Sequence, residues 1–325
     1  MIKELLGKIR KVQEGDYKRL PIISYSKLDN FKKCPMSHKL KYVDRHFSNK
    51  SSLAMEIGSI AHKGLEMKGD FIINGLPIDY EYIREVVMNG CDEGRGGHIL
   101  GINELKKKYF EEFYEKDTKS GMNYDEKLQI YFENVLPTRM EDEWDILATE
   151  KRFEFVYDER VIIHGFIDRV DMLVKNGELH LRIVDYKSSK AVFRDTEIKT
   201  PLQHVIYDLG CLYLYKTLPE EHEYDFIFLD KKQGMEDGVC SKGYLKRGIK
   251  KINSLLDEMD EMEREQSWCP KPTPLCYWCP FHSTSPNADP LFAGMCRWHS
   301  LWTPDNKNFG VLNKWGEEKP RKLIF

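Results

Sequence analysis

No stretch of this 325-residue chain approaches the ~18 consecutive apolar residues that a membrane-spanning helix needs. The first ten residues carry scattered charges and no hydrophobic run ahead of a cleavage site, so a non-secreted, cytoplasmic protein is expected. An excess of charge of one sign is also missing: 50 Lys plus Arg stand against 53 Asp plus Glu, a formal net charge of −3. That balance excludes a histone-like polycation. No Gly-x4-Gly-Lys-Ser/Thr motif occurs, so no nucleotide-driven motor is expected in these residues, and there is no internal repeat or low-complexity tract. What is present is an ordinary globular composition, 41% apolar, 32% charged and 12% aromatic, able to bury a core. At ~100 to 200 residues per domain, the length fits one decorated domain or two smaller ones. Eight cysteines in a reducing compartment are expected as thiols, which makes their placement the question.

Along the chain, the spacing predicts a short amphipathic helix over 2–12, with Leu5, Leu6 and Ile9 on one side. After Pro21, Ser26 is expected as an N-cap, and Leu28, Phe31, Leu40 and Tyr42 recur at helical spacing as far as Arg45. Pro35 should bend or split that helix. A further helix is expected over 56–67, where Gly58, His62 and Glu66 fall four apart and share a side. Residues 69–148 are charged and helical in period, clearest over 104–116 and 125–135, with a Gly-rich break at 94–97. They read as a helical insertion. The character then turns β-branched over 149–158, 161–174 and 178–187, followed by a helix over 201–215 and a strand over 224–229. Residues 231–251 hold seven basic side chains against two acidic, and 257–265 reverse to six acidic against one basic. The expected division is 1–68 as helices contributing to a core, 69–148 as the insertion, 149–264 as the core and 265–325 as a Cys-rich segment and tail.

Asn176-Gly177 lies between two β-branched runs, a strong signal for a two-residue hairpin turn. Pairing Lys175 with Glu178 then sets Asp168 directly across from Asp185, with Lys187 on the Asp185 side. Cross-strand Cβ atoms lie ~4.5–5.5 Å apart, and like charges at that range repel. A divalent cation with a preference for hard oxygen relieves this, since Mg²⁺ is typically held by one or two carboxylates and completes its shell with water and phosphate oxygens. An ammonium beside such an ion can steady charge on a phosphoryl transition state. An exposed Asp-Lys-Asp ion cluster fits the same spacing.

In chain order the residues are Ser24-x-Ser26-x-Leu28 with Cys34-Pro35, Gly58-x3-His62-x3-Glu66, Glu150, Gly165-Phe-Ile-Asp168-Arg169, Val184-Asp185-Tyr186-Lys187-Ser188-Ser189 and Gln203-His-Val-Ile-Tyr207. This series resembles the RecB-type nucleases of the PD-(D/E)xK superfamily, which include the nuclease domains of RecB and AddB and the CRISPR-associated RecB-like exonucleases. The resemblance implies an α/β fold with a restriction-endonuclease-like core, a central mixed sheet flanked by helices. It implies that Asp168 and Asp185 bind Mg²⁺ or Mn²⁺, with His62 and the backbone carbonyl of Tyr186 completing the site, and that Lys187 is catalytic. Gln203 and Tyr207 match the family's Gln-x-x-x-Tyr motif beside the DNA and the scissile phosphate, and Glu66 supports the site. Glu150 is expected as a supporting residue and not as a direct ligand.

The implied function is a divalent-metal-dependent DNA exonuclease acting in recombination, replication or repair, with DNA and a helicase or recombination protein as partners. An endonuclease or nickase on the same fold, or a DNA-binding assembly subunit with an inactive site, are the alternatives. Lys187, Lys190, Arg194 and the basic residues of 231–251 are candidate phosphate contacts, a solvated helix surface being the other reading of the last group. Cys34, Cys276, Cys279 and Cys296 resemble the ligands of the 4Fe-4S cluster that some RecB-type nucleases carry. A zinc site of Cys269, Cys276, Cys279 and Cys296 is the alternative. Trp268, Trp278, Trp298 and Trp302 are expected to shield the cluster.

Overall fold

The computed structural model describes residues 2–13, 15–48, 51–93, 97–193, 202–234, 242–283, 285, 288–296, 311–312 and 318–319. The chain divides into two compact units, one of residues 1–22 with 51–247 and the other of 23–50 with 248–325.

The first unit is organised by a sheet of β1 (Ile9–Lys11), β2 (Asp145–Tyr157), β3 (Val161–Lys175), β4 (Glu178–Lys187), β5 (Glu221–Phe226) and β6 (Lys231–Gly234), bonded in that order. All neighbours are antiparallel except β4 and β5, which the crossover helix α2 (Leu202–Tyr215) allows to run parallel. The hairpin forms as expected: Asn176 and Gly177 take φ of +54° and +80°, and Lys175 pairs with Glu178. At the other edge the sequence reading needs correction. The N-terminal helix ends at Lys8, and Ile9 to Lys11 instead pair with the end of β2, because edge pairing satisfies their backbone better than another turn of exposed helix.

Helix α1 (Leu53–Ile73) is longer than expected at both ends and starts from Ser52, whose side chain caps the Met55 N–H. Its Ile57, Ile60, Ala61 and Leu65 pack with Val184 and Tyr186 of β4, with Ile227 and Phe228, and with Ile83, Val87, Leu105, Phe113 and Tyr131 of the inserted segment. That segment is largely helical, with Tyr80–Asn89, Ile102–Lys108, Phe110–Tyr114 and Tyr124–Ile130, and a strand pair Gly90–Glu93 and Gly97–Leu100 flanks its Gly-rich break. The buried Lys68 ammonium donates to the carbonyls of Leu136, Pro137 and Arg139 at 2.9, 2.7 and 2.6 Å. Against β2 and β3, α2 places Gly210 where an added Cβ would lie 2.8 Å from the Phe153 ring. This is the mixed α/β core expected, a central mixed sheet flanked by helices.

In the second unit Ser24, and not Ser26, caps the helix Tyr25–Lys33, accepting from the Lys27 N–H at 3.4 Å. Ser26 already lies in the first turn and pairs with the Ser24 hydroxyl at 2.9 Å. Cys34 ends this helix and Pro35 opens the next turn, Pro35–His38, so the split falls where proline requires it. Helix α3 (Lys242–Glu265) supplies the buried Ile252, Leu255 and Leu256, and Trp268 packs edge-on to Phe31 and face-on to His38.

Candidate active site

Helix α1 can approach the end of β4 because Gly58 has no side chain: a Cβ there would meet the Ser188 hydroxyl at 2.9 Å. One turn on, His62 meets the Tyr186 ring edge-on, and its Nδ1 lies 3.7 Å from Asp168 Oδ2. Asp168 follows the last ladder pair, Arg169 with Val184, and its Oδ2 accepts the Tyr186 N–H at 2.8 Å. The hairpin register therefore delivers Asp168 to the start of the Asp185-Tyr186-Lys187 run.

From the other neighbour, β2, comes Glu150. It is flanked by the pairs Thr149 with Arg169 and Lys151 with Ile167, so it stands opposite Asp168. Its φ of +40° is a left-handed conformation that a glutamate adopts at a cost and that gathers at functional sites. One ligand atom from each of His62, Glu150 and Asp168 can be chosen so that all three lie within 4.8 Å of one another. A cavity of about 440 Å³ opens onto His62, Glu66 and Glu150. From the sequence Glu150 is expected as a supporting residue and not as a ligand; the structure brings its carboxylate within reach of His62 and Asp168.

The charges are strongly interdependent. Burial, and then the carboxylates of Asp185 and Glu150, push the Asp168 carboxyl well above the usual range. Burial also works to raise Asp185, but the Lys187 ammonium at 2.6 Å and His204 at 3.6 Å overturn this and hold it below the usual range. Burial lowers His62 to about 4, so its imidazole is neutral near pH 7, the form that ligates metals. His204 is lowered to about 3, again chiefly by burial. Lys187 donates to Gln203 Oε1 at 3.2 Å, and Gln203 Nε2 donates to the Tyr207 hydroxyl at 2.7 Å. The four-residue spacing in α2 thus forms a chain that holds the ammonium over Asp185. Glu66 pairs with Lys63 at 2.8 Å.

Two carboxylates and a neutral imidazole, one carboxyl destabilised as an anion by its neighbours, are a donor set suited to a hard divalent ion. Of the candidate phosphate contacts, Lys190 is exposed, Lys232 pairs with Glu223 at 3.3 Å, and Arg194 lies outside the described residues.

In the second unit Cys34, Cys276, Cys279 and Cys296 line one cavity of about 190 Å³. Backbone N–H groups of Lys271 and Thr273 donate to the sulfurs of Cys34 and Cys276, each at 3.4 Å. Burial pushes the Cys276 thiol up and the Cys279 thiol up to about 12, in each case helped by Cys34. Cys269 is not among the lining residues described. Trp278 lines the cavity while 61% exposed, and Trp298 and Trp302 lie outside the described residues.

The fold and these motifs define a nuclease class, and the sequence profile of the PD-(D/E)XK nuclease superfamily matches residues 22–284. The chain belongs to that superfamily. A subunit of an ATP-dependent helicase/deoxyribonuclease from Clostridium botulinum (strain Loch Maree) is 27% identical over 259 residues, 75% of this chain and 21% of the relative. Proteins of the same name are 25% identical over 202 residues in Clostridium acetobutylicum (54% of this chain, 16% of the relative) and 31% over 93 residues in Streptococcus uberis (27% and 8%). The chain thus spans about one fifth or less of the length of these relatives.

Proposed function

We propose that this protein is a divalent-metal-dependent DNA exonuclease acting in recombination, replication or repair, alongside a helicase or recombination partner. The observation that carries the reading is the convergence of His62, Glu150 and Asp168 beside the Asp185–Lys187 pair. His62, Asp168, Asp185 and the Tyr186 carbonyl hold Mg²⁺ or Mn²⁺, with Glu150 as an additional carboxylate. When bound, such an ion supplies Lewis acidity at a phosphate oxygen and a more acidic water. Lys187, fixed through Gln203 and Tyr207, steadies the negative charge that develops on the phosphate. His62, held neutral near pH 7 by burial, offers an unprotonated ring nitrogen to the ion. The names of the relatives, which pair a deoxyribonuclease with a helicase, support DNA as the substrate and a helicase as the partner.

The cysteine cavity is read as a 4Fe-4S site of Cys34, Cys276, Cys279 and Cys296. With Zn–S bonds of ~2.3 Å, the sulfurs of a tetrahedral zinc site lie ~3.8 Å apart. Among the described residues no three cysteine sulfurs lie within 4.8 Å of one another, and the four cysteines line one cavity of about 190 Å³. This spacing favours a cluster over a single ion.

The test is cleavage of end-labelled single- and double-stranded DNA with Mg²⁺ or Mn²⁺, comparing the protein with Lys187→Ala. Shortening from an end, lost in the variant at unchanged circular dichroism, is the expected result. Full activity in Lys187→Ala would remove the assigned mechanism.

A further inference from the structure

Phe166 lies two residues before Asp168 on β3 and is 49% exposed, whereas its neighbour Ile167 is fully buried. A single exposed phenylalanine is unremarkable on a protein surface. The position of this one is informative, because its ring lines the same cavity of about 440 Å³ as His62 and Glu150, with Ile99 as a second apolar wall. The backbone beside it is closely packed: at Gly165 an added Cβ would meet the Phe153 ring at 2.7 Å. Across the strands Phe166 stands opposite Arg152, which pairs with Glu154 at 2.7 Å, and Lys63 of the same cavity pairs with Glu66 at 2.8 Å.

We propose that Phe166 is a base-stacking platform that makes the site select an unpaired nucleotide, and hence single-stranded DNA or a frayed end. The inference rests on the nuclease reading above and deepens it. A base within a duplex has both faces covered by its neighbours. To lie on Phe166 while its phosphate reaches the His62, Glu150 and Asp168 group, a base must leave the stack, which costs least when it is already unpaired. Stacking on an aromatic ring tolerates any base, so the selection is for strandedness and not for sequence.

The experiment measures KM and kcat on a single-stranded oligonucleotide and on copies with one abasic position stepped across the cut, together with fluorescence anisotropy of the labelled oligonucleotide in EDTA. For the wild type, KM should rise on the order of tenfold when the base beside the scissile phosphate is missing. Phe166→Ala should show that weaker KM on intact DNA, bind it correspondingly less in EDTA, and be indifferent to the abasic position. Phe166→Tyr should behave as wild type. The proposal is overturned if Phe166→Ala keeps wild-type KM and abasic sensitivity, or if its loss is one of kcat alone that Phe166→Tyr does not restore. Unchanged DNA kinetics with loss of a protein partner would overturn it too, assigning the ring to an interface. A wild-type protein that cleaves no DNA defeats the nuclease reading, and the anisotropy arm then decides the stacking contact separately.

Discussion

Asp168 concentrates the electrostatics of the site, because burial and two neighbouring carboxylates all oppose its ionisation. A carboxyl with a raised folded-state pKa binds its proton more tightly in the native protein than in the unfolded chain. Its contribution to stability is therefore present at low pH and lost as pH rises through the raised value. Over the same range the lowered His62 and His204 act in the opposite direction, so the reading is taken on the metal: Mn²⁺ should raise the melting temperature more at pH 7.5 than at pH 5, where protons compete for the ligands. A Mn²⁺ stabilisation independent of pH, read by scanning calorimetry, would refute this. Glu150→Gln keeps the shape and removes one charge. It should weaken Mn²⁺ binding by roughly ten- to a hundredfold in calorimetric titrations, and an unchanged affinity would leave Glu150 a purely structural residue.

Among the elements, α1 is closely packed through its glycines. At Gly64 an added Cβ would lie 2.4 Å from the Tyr131 hydroxyl and 2.9 Å from Val87, and that hydroxyl donates to the Ala61 carbonyl at 2.8 Å. Gly64→Ala gains at most ~1 kcal/mol of helix propensity, against overpacking of ~1–3 kcal/mol and a disturbed buried hydrogen bond worth ~1 kcal/mol. Clash should win, with a lower urea midpoint at an unchanged slope. Legibility from sequence follows the same local logic. The β3–β4 hairpin is readable because Asn176-Gly177 favours the two positive φ values of its turn, so the position of Asp168 relative to Asp185 can be worked out. The β2–β3 turn reaches positive φ with Asp158 and Glu159, which give no such signal, so the sequence offers no anchor for counting the pairing of β2 with β3. The partner of Glu150 is therefore not readable. Ile9 to Lys11 read as helix because edge-strand pairing is a tertiary choice that a three-residue segment does not encode.

For the whole molecule, near-zero net charge carries little information about a nucleic-acid substrate. It averages the buried carboxylates with exposed lysines and an acidic stretch at the end of α3. The second unit brings Cys34, distant in sequence, to the same cavity as Cys276, Cys279 and Cys296, so a bound cluster would close a very long loop and constrain the unfolded chain. Anaerobically purified protein should contain iron and acid-labile sulfide, and Cys34→Ala should lose both and melt at a lower temperature, whereas Cys269→Ala should lose neither. Zinc without iron would overturn the cluster assignment. The central claim is that the His62, Glu150, Asp168 and Asp185 group supports metal-dependent hydrolysis of DNA. Its most direct measurement is digestion of an end-labelled oligonucleotide in Mg²⁺, in Mn²⁺ and in EDTA, beside the Asp168→Asn variant. Hydrolysis with either metal, none in EDTA and none by the variant is the expected result. Equal hydrolysis in EDTA, or by folded Asp168→Asn, would contradict it.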